Sequence, residues 1–366
     1  MPVHASIEDA RADLGSGLLL RLQAAFLVLR EGQILRLASP VETLADELRT
    51  FEGATGHGLL SVIDDPLRAG WRLHYIRKGR ARTDWAPDGR VLPAEAAPAL
   101  AFDIDTLMPR RLWLYTNYNC NLQCDYCCVV AGPRADPRNL ASDRIQSLVD
   151  QASAAGLEHV FLTGGEPLLR QDLPDLIRYV TDRLPMTLLT NAMLLRGARW
   201  EPIRRLIEER RPVAFQVSLD SAGPTLHDAH RGRQAHARAL EGIRTLRAAG
   251  ARVRLAASLP EAHLDEIPGL HALADELGIA LEDRVIRPIA LRGAAAEGEP
   301  IRPEDVAPEL TCDAEGWFWH PVSNDPDMRL QLPADASLGL AMAAVRRRLE
   351  MFSAEQAVRL DRFVCG

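Results

Sequence analysis

The sequence lacks several features that would assign it to a broad class at once. It has no run of about 18 or more apolar residues, so it offers no candidate for a membrane-spanning helix. Its basic residues are dispersed and the formal net charge is −7, which argues against a nucleic-acid-binding surface. The amino terminus has no basic segment followed by an apolar one, so we expect no signal peptide. These absences predict a cytoplasmic protein that binds neither membrane nor nucleic acid.

Cysteine is also scarce, and its distribution along the chain is uneven. The chain has 6 cysteines among 366 residues, and four of them fall within one short stretch. These four are Cys120, Cys124, Cys127 and Cys128. In a cytoplasmic protein, clustered thiols are more often metal ligands or redox groups than structural disulfides. The other two, Cys312 and Cys365, lie far away and are not spaced as the second pair of a zinc site.

Three regions of the chain differ in pattern. Residues 1–105 mix strand-like and helix-like segments and predict an N-terminal α+β domain of unclear role, ending in an Ala/Pro-rich linker at 92–102. In residues 106–290, short apolar segments alternate with amphipathic, helix-like segments. Residues 291–366 lose this alternation and predict a small C-terminal extension. We therefore predict three domains.

The middle region contains six segments with the pattern of short buried strands. They are residues 111–116, 159–163, 186–190, 214–219, 252–258 and 282–289. Repeated strand-then-helix order implies parallel strands joined by right-handed crossovers. Six such units are too few for a closed eight-stranded barrel, so the predicted fold class is α/β with an open, partial (β/α)6 barrel. The clustered cysteines follow the first strand, at the edge where such folds place their active sites.

The spacing of the clustered cysteines leaves more than one interpretation open. Structural zinc is one alternative, but such a site usually needs four ligands, and the diverging side chains of the adjacent Cys127 and Cys128 argue against their binding one ion. A redox disulfide is another alternative. Three thiolates in one short loop suit a cubane 4Fe–4S cluster that leaves one iron open, with Cys120, Cys124 and Cys127 as ligands. Cys128 is then interpreted as a small buried hydrophobic residue, with a reactive thiol as the alternative.

Further motifs follow the next strands in chain order. They are TGGEPLL (163–169), LLTNA (188–192), VSLDS (217–221) and HDAHRGR (227–233). Together with CNLQCDYC, they resemble the radical S-adenosylmethionine (SAM) superfamily over about residues 108–290, with Ala192 where that family usually has glycine. The resemblance implies that three cysteines hold a 4Fe–4S cluster and that SAM chelates the fourth iron. Reductive cleavage of SAM would give a 5′-deoxyadenosyl radical that abstracts a hydrogen atom from the substrate.

The resemblance also implies a set of cofactor-binding residues. They are Tyr126, Gly164, Gly165, Glu166, Thr190, Asn191, Ser218, Asp220 and Arg231. The two glycines would let the backbone approach the methionyl group of SAM, and Glu166 would accept a hydrogen bond from its ammonium or support the loop. The polar residues at the ends of the next two strands would bind ribose, although Asp220 could instead cap a helix. Arg231 would pair with the SAM carboxylate or else face solvent. Tyr126 would lie near the adenine or pack against the cluster.

The C-terminal extension resembles the opening of a SPASM or Twitch domain, the fold that carries auxiliary clusters in related enzymes. In LTCDAEGWFWHP, His320 stands near the place expected for a second cysteine. We therefore predict a degenerate remnant without a cluster, although an auxiliary cluster on Cys312, Cys365 and His320 is the alternative. Residues 317–320 would line the substrate end of the site, or form an ordinary hydrophobic hairpin. Cys128, Cys312 and Cys365 are the thiols left as catalytic candidates.

The resemblance leaves three functions open. The first is a radical SAM enzyme that acts on a small molecule in natural-product biosynthesis, with a flavodoxin or ferredoxin as electron donor. The second is a radical SAM maturase of a ribosomally made peptide. The third is a non-catalytic iron–sulfur scaffold or sensor, which would bind iron without cleaving SAM.

Overall fold

The computed structural model describes residues 5–8, 18, 22, 25, 26, 29, 32–55, 57–65, 68–79 and 104–354. The chain divides into two compact units, Met1–Ala101 and Phe102–Gly366. Within the described ranges, no helix is long and apolar enough to cross a membrane. The predicted linker at 92–102 and the Cys365 thiol lie outside the described residues. The division of the chain into three domains stays a prediction.

The first unit contains a four-stranded sheet and a helix. Its elements are β1 (Ala5–Glu8), β2 (Ile34–Ser39), α1 (Leu44–Thr55), β3 (Gly58–Asp64) and β4 (Arg72–Arg77). The strand order is β1-β2-β4-β3, with β1 and β2 parallel and the other neighbours antiparallel. Leu44, Leu48 and Phe51 recur at helical spacing in α1, and they pack with Leu35 and Leu37 of β2 in one core.

The second unit is built on an eight-stranded sheet. Its strands are β5 (Arg111–Tyr115), β6 (His159–Thr163), β7 (Met186–Thr190), β8 (Val213–Ser218), β9 (Arg252–Leu259), β10 (Arg284–Pro288), β11 (Leu310–Asp313) and β12 (Gly316–Phe318). The order is β10-β9-β8-β7-β6-β5-β11-β12, and β5 to β10 pair in parallel. All six predicted strands are present. The prediction of an α/β fold with a partial barrel is therefore confirmed.

Helices follow most of the parallel strands. They are α3 (Ser142–Ala154), α4 (Leu173–Thr181), α5 (Trp200–Glu208), α6 (Pro224–Arg231), α7 (Ala235–Ala248) and α8 (Glu266–Glu276), while the short α2 (Ile104–Leu107) precedes β5 and α9 (Leu338–Ala354) follows β12. In α4, Leu173, Leu176, Ile177 and Val180 form one buried stripe. They share a core with strand residues such as Leu162. This packing covers one face of the sheet and leaves the strand ends free to carry a site.

The C-terminal extension contains a hairpin that joins the barrel sheet. Strand β11 pairs in parallel with β5, and β12 pairs antiparallel with β11. Trp317, Phe318 and Trp319 are almost completely buried. The indole of Trp317 donates to the carbonyl of Ala336 at 2.9 Å, and that of Trp319 donates to the carbonyl of Val306 at 3.0 Å. These side chains pack as a hydrophobic hairpin in the core, which was the alternative to lining the substrate end.

Candidate active site at the carboxyl ends of the barrel strands

A cavity of about 190 Å³ opens at the carboxyl ends of the parallel strands. All four clustered cysteines line it. The predicted cofactor-binding residues in its lining are Tyr126, Gly164, Gly165, Thr190, Asn191, Ser218 and Arg231. Glu166 and Asp220 lie behind the lining, with fully buried side chains. The structure thus brings motifs from several strand ends to one cavity, as expected for parallel strands.

Gly164 and Gly165 pack directly against the segment that precedes Cys120. The amide of Gly165 donates to the carbonyl of Asn117 at 2.8 Å, and the amide of Glu166 donates to the carbonyl of Asn119 at 2.8 Å. A Cβ atom added to Gly164 would lie 2.4 Å from the carbonyl oxygen of Asn117. A Cβ atom added to Gly165 would lie 2.3 Å from the carbonyl oxygen of Asn119. The sequence offered SAM as the reason for these glycines. The contact in the structure is with the backbone of the cysteine segment.

Glu166 links the ends of β6 and β7. One carboxylate oxygen accepts from the amide of Leu168 at 3.0 Å and from the hydroxyl of Thr190 at 2.8 Å, and the other accepts from the amide of Asn191 at 2.8 Å. Burial raises the pKa of Glu166 to about 7. The three hydrogen bonds act in the opposite direction, because they favour the ionised carboxylate. These contacts match the loop-supporting role that the sequence offered for Glu166. A role toward the SAM ammonium stays a prediction.

Asp220 and Arg231 form a buried ion pair beside the cavity. The guanidinium donates to both carboxylate oxygens, at 2.6 and 3.2 Å, and the Tyr126 hydroxyl donates to one of them at 2.5 Å. Burial opposes the ionisation of Asp220, but the charge of Arg231 outweighs it and holds the pKa of Asp220 below its ordinary value. Asp220 therefore binds an arginine rather than capping a helix, and Arg231 is buried rather than solvated. Their contacts with SAM stay predictions.

The HDAHRGR motif has structural roles that sequence reasoning missed. Asp228 accepts from the amides of Gln234 and His236, at 2.7 and 2.8 Å, at the start of α7. His227 is buried, and its Nδ1 accepts from the amide of Asp220 at 3.1 Å. Burial and the charge of Arg231 lower the pKa of His227 to about 4, so its ring is neutral at pH 7. The i, i+4 spacing of His227 and Arg231 was the signal that both reach the same strand end.

The three spaced cysteines have the surroundings expected of iron ligands. The backbone amide of Leu122 donates to the sulfur of Cys120 at 3.4 Å, and the backbone amide of Ala131 donates to the sulfur of Cys127 at 3.2 Å. Such contacts stabilise thiolates and tune iron–sulfur clusters. In the part of the chain that the structure describes, the cysteines form no disulfide, and no three His, Cys, Asp or Glu side chains converge on a single-ion site. Three partly exposed thiols around one cavity therefore fit the donor set of a cubane cluster.

The three catalytic thiol candidates have different positions. Cys128 lines the cavity, and its sulfur lies 3.9 Å from the hydroxyl of Tyr115. Cys312 is completely buried in β11, where burial raises its pKa to about 12, and it packs in the main core instead of lining the cavity. Cys365 lies outside the described residues. Of the described candidates, Cys128 is the one that the structure brings to the cavity.

Segments that follow the barrel also hold the cysteine loop. Gly293 has φ +60°, and a Cβ atom there would lie 2.4 Å from the carbonyl oxygen of Cys127. The next amide, of Ala294, donates to the same carbonyl at 3.0 Å. The hydroxyl of Tyr118 donates to Asp313 at the end of β11. The C-terminal extension therefore contributes to the wall of the site.

Comparison with known proteins places these observations in a family. The sequence model of the radical SAM superfamily matches residues 114–274. An AdoMet-dependent heme synthase of Methanosarcina barkeri is 33% identical over 175 residues, which cover 47% of this chain and 49% of that protein. The mycofactocin maturase MftC of Mycobacterium ulcerans is 31% identical over 180 residues, 48% of this chain and 47% of the maturase. The chain thus spans about half the length of these curated relatives.

Solved structures show the same fold. The structure of native anSMEcpe with bound AdoMet superposes with a TM-score of 0.52 at 11% sequence identity, over 65% of this chain and 82% of that one. The radical SAM superfamily uses a 4Fe–4S cluster together with SAM. The family model covers the cysteine segment and strands β6 to β9, so residues 114–274 of the chain match the radical SAM superfamily.

Proposed function

We propose that the chain is a radical SAM enzyme that binds one 4Fe–4S cluster through Cys120, Cys124 and Cys127. Its substrate is a small molecule or an intermediate of natural-product biosynthesis, from which it removes a hydrogen atom. The observation that carries the proposal is the shared cavity, where three spaced thiols face the glycine-rich end of β6 and the polar ends of the next strands. When bound, the cluster and SAM together supply a 5′-deoxyadenosyl radical.

The residues of the chain position and shield that chemistry. The backbone contacts of Gly164 and Gly165 hold the cysteine segment against the end of β6. Glu166 fixes the end of β7, where Thr190 and Asn191 face the cavity. The pairing of Asp220 with Arg231 neutralises both charges, so it leaves the cavity wall rigid without adding net charge.

The substrate class and the electron donor belong to the same proposal. Similarity to a heme synthase supports a small-molecule substrate, and similarity to a mycofactocin maturase supports the second candidate, maturation of a ribosomally made peptide. A flavodoxin or ferredoxin would supply the electron. A non-catalytic scaffold or sensor is the candidate of another class, and it differs from both enzymes because it predicts no cleavage of SAM.

The test is anaerobic reconstitution with iron and sulfide, followed by addition of SAM and a strong reductant. We expect the wild-type protein to bind about four irons, as a 4Fe–4S cluster requires, and to form 5′-deoxyadenosine. The triple variant Cys120→Ala/Cys124→Ala/Cys127→Ala should do neither. Cys312→Ala is the matched control, because that thiol is buried outside the cavity and its loss should leave both readouts unchanged.

The outcomes separate the candidates. Iron binding without 5′-deoxyadenosine in the wild type would contradict the enzyme and favour a scaffold or sensor. Equal iron binding by the triple variant would contradict the assignment of the ligands. If the wild type cleaves SAM, the same assay can screen small molecules and peptides by how far each accelerates the formation of 5′-deoxyadenosine.

A further inference from the structure

A second cavity lies at the amino ends of the barrel strands, at the other end of the sheet from the proposed active site. Its volume is about 480 Å³, which is in the range of small-molecule sites. The residues that lead into β6, β7, β8 and β9 line it. Each of these strands has at least 5 residues, so the two ends are about 15 Å apart. A molecule bound in this cavity would therefore occupy a site separate from the cysteines.

The charged side chains in this lining are all basic. They are those of Arg210, Arg211 and Arg252, and none of the described lining residues is an aspartate or a glutamate. Arg210 and Arg211 precede β8, and Arg252 begins β9, the strand that pairs in parallel with β8. Because the amino ends of parallel strands meet at one edge of the sheet, three arginines that are distant in sequence or adjacent in it line one cavity.

The two arginines before β8 differ in their partners. Arg211 is neutralised, because its guanidinium pairs with Asp182 and, at 3.2 Å, with Glu209. Arg210 is exposed, and among the residues that the structure describes it takes part in no ion pair. Arg210 therefore presents a full positive charge to the cavity.

Two arginines at the start of β9 share one carboxylate. Arg252 pairs with Asp283 at 2.8 Å, and Arg254, two residues further along the strand, lies 3.6 Å from the same side chain. Burial lowers the pKa of Arg254, and the charges of Arg252 and Arg111 add to this effect, whereas Asp283 opposes it. Glu282 also acts on Arg252, but it is exposed, so solvent screens its charge. Asp283 thus neutralises only part of the positive charge at this wall.

His159, at the start of β6, responds to the same positive charge. Burial lowers the pKa of His159 to about 4, and the charges of Arg111, Arg254 and Arg252 act on it in the same direction. All three of these charges are positive, which agrees with the excess indicated by the ion pairs. The ring is neutral at pH 7, so it does not compete with the arginines for an anion.

We infer that the amino-end cavity binds a phosphate group of a small molecule, at a site separate from the proposed active site. A phosphate carries up to two negative charges, and a guanidinium presents a planar fork of donors that matches its oxygens. Arg210 and Arg252 are the phosphate-binding side chains. Apolar residues of the same lining, such as Met186 and Ile207, contact the rest of the molecule.

Calorimetry on the reconstituted protein with SAM bound tests this site. Inorganic phosphate and pyrophosphate are the probes, each titrated at constant ionic strength with chloride as the balancing anion. We expect at least one probe to bind with a dissociation constant of about 1 mM or lower. No reductant is added, so the result does not depend on whether the protein cleaves SAM.

Variants locate the bound phosphate. Arg210→Gln should weaken the binding of the better probe about tenfold, because it removes charge-assisted hydrogen bonds, and the double variant Arg210→Gln/Arg252→Gln should weaken it further. Arg205→Gln is the matched control, since Arg205 is an exposed arginine of α5 that pairs with Glu201 and lies outside the lining. If the double variant does not fold, Arg210→Gln decides alone, because it changes an exposed side chain.

Three results would overturn the inference. They are the absence of binding of either probe by the wild type, an unchanged affinity in Arg210→Gln, and an equal loss of affinity in Arg205→Gln. The last of these would show that the probes respond to the general charge of the protein and not to the cavity.

Discussion

The two ends of the barrel differ in cavity size and in chemistry. At the amino ends of β6 to β9, a cavity of about 480 Å³ is lined by His159, Arg210, Arg211 and Arg252, among others. The cavity at the carboxyl ends is smaller, about 190 Å³, but it collects the thiols, the glycines and the buried ion pair. Among the described lining residues of the larger cavity, none is a cysteine. The donor groups, and not the volume, therefore distinguish the end that is proposed as the active site.

The two ends also use ion pairs differently. At the carboxyl end, the side chains of Arg231 and Asp220 are 11% and 0% exposed. At the amino end, Arg252 pairs with Asp283, but the arginine side chain is 63% exposed. When one member of a buried ion pair is removed, water cannot solvate the charge that is left, whereas water can do so at an exposed pair. The carboxyl end should therefore be the less tolerant of substitution.

The largest difference in the free energy of unfolding is expected between the alanine variants of Arg231 and Arg252. Arg231→Ala leaves the carboxylate of Asp220 buried without its partner, and should lower the free energy of unfolding by about 3–5 kcal/mol. Arg252→Ala removes an exposed charge, leaves Asp283 with Arg254 at 3.6 Å, and should cost about 1 kcal/mol or less. Urea denaturation monitored by tryptophan fluorescence measures both changes. Equal losses would show that burial does not distinguish the two pairs.

A smaller difference in stability is expected between the alanine variants of Gly165 and Gly250. Gly165→Ala would force a Cβ to within 2.3 Å of a backbone oxygen of the cysteine segment, costing about 1–3 kcal/mol and displacing the thiols. Gly250→Ala, at the amino-end cavity, meets no atom within 4 Å, so it should cost about 1–2 kcal/mol through its φ of +81° alone. Iron content after reconstitution separates the two, because Gly165→Ala should lose iron and Gly250→Ala should retain it. Normal iron content in Gly165→Ala would show that the cysteine segment adapts.

The smallest effect is expected at His159, at the amino end. Burial and the charges of Arg111 and Arg254 lower its pKa to about 4, from an ordinary 6.5. Between these two values the unfolded chain takes up the proton before the native one, so stability falls as the pH falls from 6.5 to 4. His159→Gln should reduce this slope, because a glutamine can keep the 2.9 Å hydrogen bond to Thr187 without titrating.

The control for His159 is His263→Gln, which changes an exposed histidine. Part of the slope should remain in the His159 variant, since the lowered pKa values of His227 and His320 act in the same direction. Unfolding midpoints in urea at several pH values between 4 and 7 measure the slope. An unchanged slope in His159→Gln would contradict the assignment of this proton uptake to His159.

The sequence predicted the barrel well because its signals are local. Strands β6 and β7 begin and end where the apolar segments do, and the motifs follow the strand ends in order. The parallel pairing of β11 with β5 was not predictable, since it joins segments about 200 residues apart and leaves no local pattern. Similarly, the sequence offered Arg231 and Asp220 as candidate cofactor-binding residues but could not show that they bind each other.

The attachment of Tyr118 to Asp313 has a consequence for the order in which the protein matures. The two residues are 195 positions apart, and Gly293 and Ala294 also meet the cysteine loop from far downstream. While the ribosome is still making the barrel, the cysteines have already emerged but these supports have not. Iron delivered to the nascent chain would therefore meet an unfinished loop. We therefore expect cluster insertion at the end of synthesis, after the polypeptide has passed β11.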